Sequence, residues 1–176
     1  PKTALERFVH KGVVSILDEQ LVEAQFNYLV DTLTIRGYDH YELSSFGKPG
    51  YHSRNNTGYW KGKTYLGIGP SAHGFDGVQR YWNVSNNANY MQKITQGELP
   101  QTIEKLSVID RYNESIMIGL RASWGVSLKA MERNLGLRYR QHLEEQAKRF
   151  IEEGLLHIEN NAIKTNAVKN KNQCDK

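Results

Sequence analysis

Leu155-Leu156-His157-Ile158-Glu159-Asn160-Asn161-Ala162-Ile163-Lys164-Thr165 sets two short apolar runs on either side of an asparagine pair. Two such runs joined by residues that tolerate positive φ read as a hairpin with a tight Asn-Asn turn. Gly154, just before it, ends a helical pattern over residues 139–153, in which Tyr139, Leu143, Ala147, Phe150 and Ile151 point inward. A shorter helix is expected over Leu128–Leu135, closed by Gly136. Further upstream, Ser107 and Asp110 stand at capping-box spacing, and Ile109, Tyr112, Ile116 and Leu120 form one apolar stripe. Three helices followed by a hairpin give a winged-helix-like outline for residues 101–168, with a frayed tail over 169–176.

Toward the N-terminus the pattern changes. Residues 1–17 carry no strong period, and residues 12–17 fit a strand or a loop. Asp18 offers an N-cap to a helix on which Leu21, Val22, Phe26, Leu29, Val30 and Leu33 recur at helical spacing, and Gly37 stops it. Residues 38–44 then alternate like a strand and run into a turn cluster over 46–50. Helix, glycine, short strand is the unit of an α/β barrel. One unit cannot close a barrel, so residues 1–50 read as the end of an incomplete one. Its uncovered apolar surface favours a homodimer. Residues 51–100, rich in Gly, Asn, Tyr and Trp, read as irregular but ordered, with short strands over 64–68 and 80–84. The fold class is α+β.

The chain has 176 residues, 39% of them hydrophobic and 24% charged, which is an ordinary globular composition. No apolar run reaches the ~20 residues of a membrane span, and there is no signal-peptide pattern, so the expected location is cytoplasmic. Of the net charge of +4, Lys164, Lys169, Lys171 and Lys176 against Asp175 carry three. The helix over 138–153 balances Arg138, Arg140, Lys148 and Arg149 with Glu144, Glu145, Glu152 and Glu153. A neutral helix is a poor reader of the major groove, so no DNA partner is expected from the winged-helix outline. Cys174 is the single cysteine. It excludes an internal disulfide, a CxxC pair, and an iron–sulfur cluster held by this chain alone.

His52-Ser53-Arg54-Asn55-Asn56-Thr57-Gly58-Tyr59-Trp60 gathers an imidazole, a guanidinium, two amides and two large aromatics. That set suits a flat, anionic, aromatic ligand. Tyr59 and Trp60 would stack, Arg54 would pair a carboxylate, and His52 could ligate a metal. The alternative is a loop whose aromatics plug a core and whose amides satisfy turns. His73, Arg80, Tyr81 and Trp82 could extend the surface, although ordinary packing accounts for them better. Tyr41 and Glu42 could form a buried proton-transfer pair, or Glu42 could be a structural acceptor. Gly67-Ile68-Gly69-Pro70-Ser71-Ala72 satisfies G-x-G-x-x-A, but no acidic residue stands about twenty positions on, where Asn86, Asn87 and Asn89 occur. A close backbone approach at Gly67 and Gly69 explains these glycines better.

Several strings together resemble one family. Residues 37–46, Gly-Tyr-Asp-His-Tyr-Glu-Leu-Ser-Ser-Phe, resemble the GYxxYEISNFA stretch of the oxygen-independent coproporphyrinogen III oxidase (HemN-like) family. Residues 53–60 resemble its S-R-H-N-x-x-Y-W, and residues 65–73 its YLGIGPGAHS. Gly119-Leu120-Arg121, Gly125-Val126 and Gly154-Leu155-Leu156 fit its helical C-terminal domain. The H-N-x-x-Y-W form points to the heme chaperone branch, HemW. The resemblance implies a radical S-adenosyl-L-methionine barrel with a 4Fe-4S cluster motif, CxxxCxxC, followed by the region seen here. This chain has no such motif, so cluster and S-adenosylmethionine belong to the missing N-terminal barrel. What the resemblance implies for this chain is heme or porphyrin handling by the segment 53–60. Asn56, Tyr59 and Trp60 match, while Asn55 stands in the histidine position, with His52 three residues earlier as a substitute ligand. The enzyme alternative is a parent that decarboxylates coproporphyrinogen III, in which Arg54 or Arg121 would meet propionates. A stand-alone winged-helix binding module is the third reading.

Overall fold

The computed structural model describes residues 3–15 and 17–168; the expected tail at 169–176, with Cys174, lies outside them. Helix α1 (Ala4–His10) starts where Thr3 Oγ1 accepts the Glu6 amide, in a stretch where periodicity suggests no element. Helix α2 (Glu19–Ile35) starts at Asp18, whose carboxylate accepts the Gln20 and Leu21 amides at 2.9 and 3.2 Å. It stops ahead of Gly37, whose φ of +81° few other residues tolerate. Leu21, Val22 and Leu29 remain exposed along it, as does Leu17 just ahead of its cap.

Strand β1 (Asp39–Glu42) follows as the alternation predicts, but the chain does not then turn away. It reverses at Leu43-Ser44 into β2 (Ser45–Gly47), which pairs with β1 antiparallel through a bulge between His40 and Glu42. The first residues of the expected turn cluster are therefore strand. Phe46 explains this: its ring stacks on that of fully buried His40, centroids 4.4 Å apart, so the return strand has a partner to cover.

The middle of the chain is more regular than its composition implies. Helix α3 (Arg54–Trp60) is capped by Ser53 Oγ, which accepts the Asn56 amide at 3.3 Å. Strands β3 (His73–Phe75), β4 (Gln79–Asn83) and β5 (Gln101–Lys105) form an antiparallel sheet in that order, and α4 (Asn87–Thr95) crosses between β4 and β5. The strand expected over 64–68 is reduced to a single bridge between Tyr65 and Phe75. Gly67 and Gly69, together with Pro70, break the run before a ladder can extend.

The last third matches its reading closely. Helix α5 (Val108–Leu120) opens with the full capping box between Ser107 and Asp110. After a short β6 (Val126–Ser127) come α6 (Leu128–Leu135), α7 (Leu137–Glu152), β7 (Leu156–Glu159) and β8 (Ala162–Thr165), with β8 central in the sheet β6-β8-β7. Asn160 and Asn161 take φ of 50° and 59°, the mirror-image turn that suits strand twist. Tyr112, Val126, Leu128, Met131, Leu143, Ala147 and Ile163 form the core, flanked by Ile116, Leu120, Tyr139 and Ile151. Two residues assigned inward lie outside it. Ile109 in the first turn of α5 and Phe150 at the end of α7 are exposed, beyond the reach of the hairpin that covers the helices. Gly119 lets α5 approach β6, since a Cβ there would meet Val126 Cγ2 at 2.6 Å.

Candidate functional site

A buried carboxylate organises the region around the segment 52–60. Glu42, with its side chain 1% exposed, ends β1 and meets Arg121, the residue that caps the C-terminus of α5. Arg121 Nη2 and Nε donate to Glu42 Oε1 at 2.8 and 3.2 Å. Glu42 Oε2 accepts from the Ser45 and Ser44 hydroxyls at 2.8 and 3.0 Å and from the Ser44 amide at 3.3 Å. Burial alone would raise the Glu42 pKa; the hydrogen bonds from Ser45, Arg121 and Ser44 together outweigh it and hold the carboxyl below its ordinary value. Backbone bonds fasten the same junction, with the Leu43 amide on Arg121 O at 2.8 Å and the Ser123 amide on Tyr41 O at 3.0 Å. Glu42 is thus an ionised structural acceptor. The proton-transfer reading with Tyr41 does not hold, because the Tyr41 hydroxyl turns to the Ser53 amide and Glu42 is saturated with donors.

Arg121 also carries the site. Its guanidinium carbon lies 5.0 Å from the centre of the Trp60 ring, which joins the buried ion pair to α3. At 100° per residue, α3 divides into three sectors. Trp60 and Asn56 share one, and Trp60 Nε1 is buried without a hydrogen-bond partner. Tyr59 and Asn55 share the next; Tyr59 is 41% exposed and set edge-on to Tyr65 with centroids 4.6 Å apart. Arg54, Thr57, Gly58 and Lys61 share the third. With His52 and Lys63 they line a depression of about 400 Å³.

His52 is brought to the site but is already engaged. Its ring stacks on Tyr41 with centroids 4.3 Å apart, and its Nε2 is 3.0 Å from Asp39 Oδ2. Among the described residues, no group of three or more His, Cys, Asp or Glu is placed to hold a metal ion.

The remaining candidates are packing groups. Arg80 pairs with Glu114 at 2.7 Å, and the Tyr81 hydroxyl accepts the Gly67 amide at 3.1 Å. His73 and Trp82 face each other across the β3–β4 pair, 6.2 Å apart. No helix opens at Gly67, so the dinucleotide reading of G-x-G-x-x-A has no structural basis here. A Cβ at Gly67 would collide with the His73 carbonyl, and Asn83 Nδ2 donates to the Gly67 and Gly69 carbonyls at 3.2 and 2.9 Å. Gly67 is the close backbone approach that the sequence suggests; Gly69, at φ +101°, has open space instead and is required by its conformation.

Comparison with known proteins places this geometry. The HemN C-terminal domain matches residues 106–167, from just before the N-cap of α5 to just past the hairpin. The heme chaperone HemW of Mycobacterium tuberculosis is 32% identical over 155 residues, 88% of this chain and 38% of that protein. Over residues 106–167 the chain carries the HemN C-terminal domain, and over most of its length it is similar to HemW proteins. The heme chaperone HemW of Bacillus subtilis is 27% identical over 164 residues, covering 93% of the chain and 43% of the relative. The coproporphyrinogen III oxidase HemN of Escherichia coli, described as a radical SAM enzyme, superposes with a TM-score of 0.63 at 16% identity, over 88% of this chain and 39% of that one. The chain therefore spans about two-fifths of the length of the HemN/HemW proteins it matches.

Sequence reasoning reached Glu42 and Arg121 separately but not their pairing, because they lie 79 positions apart. It also passed over Lys61 and Lys63. The available indication was Lys61 seven positions after Arg54, which two helical turns bring to one side.

Proposed function

We propose that this chain supplies the heme-handling face of a HemW-type protein. The observation that carries the reading is the seating of α3: Arg121 and Glu42 tie Trp60 to the C-terminal helices, while Tyr59 and Asn55 stay open to a flat ligand. Heme is cargo in this reading, held by ring stacking and by the basic side chains of Arg54 and its neighbours. Asn55 offers iron no good ligand. Asp39 occupies His52 Nε2, so ligation by His52 would have to come from Nδ1, and macrocycle contacts carry the binding in this reading.

The residues present do not fit an iron–sulfur cluster, since the chain has one cysteine. Cluster and S-adenosylmethionine are assigned to the N-terminal barrel of a longer protein, to which residues 1–50 add α2 and β1. The exposed apolar residues of α2 are the surface that such a barrel, or a second copy, would cover. Residues 51–100 then form the motif segment, and 101–168 the C-terminal domain. No helix among the described residues is long and apolar enough to cross a membrane.

Heme titration followed by Soret absorbance tests the proposal, with Trp60→Ala, Tyr59→Ala and His52→Ala alongside. Saturable binding that weakens about tenfold or more on loss of either aromatic is expected, since base-type stacking on one ring contributes ~1–3 kcal/mol. Absence of saturable binding by the unaltered chain refutes it.

A further inference from the structure

The third sector of α3 has no role in stacking, yet the concavity it lines is strongly basic. Arg54, Lys61 and Lys63 line it, and no carboxylate does. Arg54 and Lys63 have no ion-pair partner among the described residues, and Lys61 leans only on the Trp124 ring, 5.2 Å from its centre. The Thr57 hydroxyl beside them is buried without a hydrogen-bond partner. Gly58 provides the opening: at 40° of helical rotation from Arg54 it presents no side chain, and a Cβ there would meet only Lys63 Cδ, at 4.0 Å. Three exposed cations facing one depression without a counter-charge repel one another through solvent, and an anion bound between them relieves that repulsion.

We infer that the depression formed by Arg54, Gly58, Lys61 and Lys63 binds the carboxylate groups at the rim of a porphyrin whose face rests on Tyr59. The inference rests on the heme reading above and extends it, because it assigns the acidic edge of the ligand to a place the aromatic residues do not reach. The sectors make the two contacts compatible. Tyr59 stands about 100° around the helix axis from Gly58, so a flat ligand lying along Tyr59 turns its edge toward the basic stripe. Lys61 and Lys63 act as compact ammonium charges, and Arg54 can engage a carboxylate with two parallel N–H bonds.

The test compares heme with heme dimethyl ester, whose carboxylates are masked, in Soret titrations of the full chain at low and high salt. For heme, Lys61→Gln and Lys63→Gln should each weaken binding about threefold and together about tenfold, the size expected of solvent-exposed charge pairs. For the ester neither should matter. Gly58→Glu should weaken heme but not ester, and circular dichroism checks that each variant is folded. If the ester binds the unaltered chain as tightly as heme, or if the double lysine variant keeps full affinity while Trp60→Ala loses it, the carboxylate assignment is wrong and the heme reading stands. No saturable heme binding at all overturns both. Inorganic phosphate forms the last arm. If millimolar phosphate shifts the Lys63 resonances without porphyrin but leaves heme affinity unchanged, the depression serves a free oxyanion and the assignment falls.

Discussion

Replacing Arg121 by alanine removes two donors from Glu42 Oε1 and leaves a carboxylate that is 1% exposed. Removing one partner of a fully buried pair costs ~3–5 kcal/mol. Here two observations reduce that figure. The Arg121 side chain is 38% exposed, and Oε2 keeps its three donors from Ser44 and Ser45. A loss of about 2 kcal/mol is therefore expected, read as a lower urea midpoint with an unchanged slope. In a double-mutant cycle with Glu42→Gln, most of that loss should reappear as coupling, because the neutral amide no longer needs the guanidinium. The pH dependence gives an independent sign. The folded-state pKa of Glu42 lies below its unfolded value, so its contribution is complete above the ordinary glutamate pKa and is lost as pH falls through the lowered one. Glu42→Gln should flatten that acid limb. A coupling below about 0.5 kcal/mol with an unaltered acid limb would refute the reasoning and mark the pair as an ordinary surface contact.

Other expectations concern the C-terminal helices. Ser107→Ala removes the hydroxyl that accepts the Asp110 amide and should cost about 1 kcal/mol in thermal or chemical unfolding. Gly119→Ala drives a methyl group to 2.6 Å from Val126 Cγ2 and should cost ~1–3 kcal/mol, against the small gain that alanine brings to an open helix. Arg121→Ala should also weaken heme in the Soret titration, since Trp60 loses the cation that seats its ring, while Ser107→Ala should leave heme affinity unchanged.

The parts of the fold that the sequence made legible are those where periodicity and turn chemistry agree. On α7, Leu143 and Ala147 repeat on one face over 16 residues, and the asparagine pair announces the hairpin. Helices α3 and α4 stayed hidden because 7 and 9 residues with two Asn each show little period; their only announcements are the caps Ser53 and Asn86. Strand β5 was hidden for a different reason. Thr102 through Lys105 are exposed, so no apolar alternation records a buried face. At the site, the aromatics and amides of residues 52–60 could be named from the sequence, whereas the Glu42–Arg121–Trp60 chain of contacts depends on tertiary closure that no local spacing encodes.

That closure has a kinetic side. Bringing Glu42 to Arg121 shuts a loop of 79 residues, an entropic cost of about 4 kcal/mol before any contact offsets it. The helices and hairpin of residues 106–167 close far shorter loops and share one core. Assembly should then begin with that C-terminal unit and finish with the docking of β1. The Leu43 amide, which donates to the Arg121 carbonyl, reports the last step: its hydrogen exchange should proceed through a partial opening that leaves the amides of α5 and α7 protected.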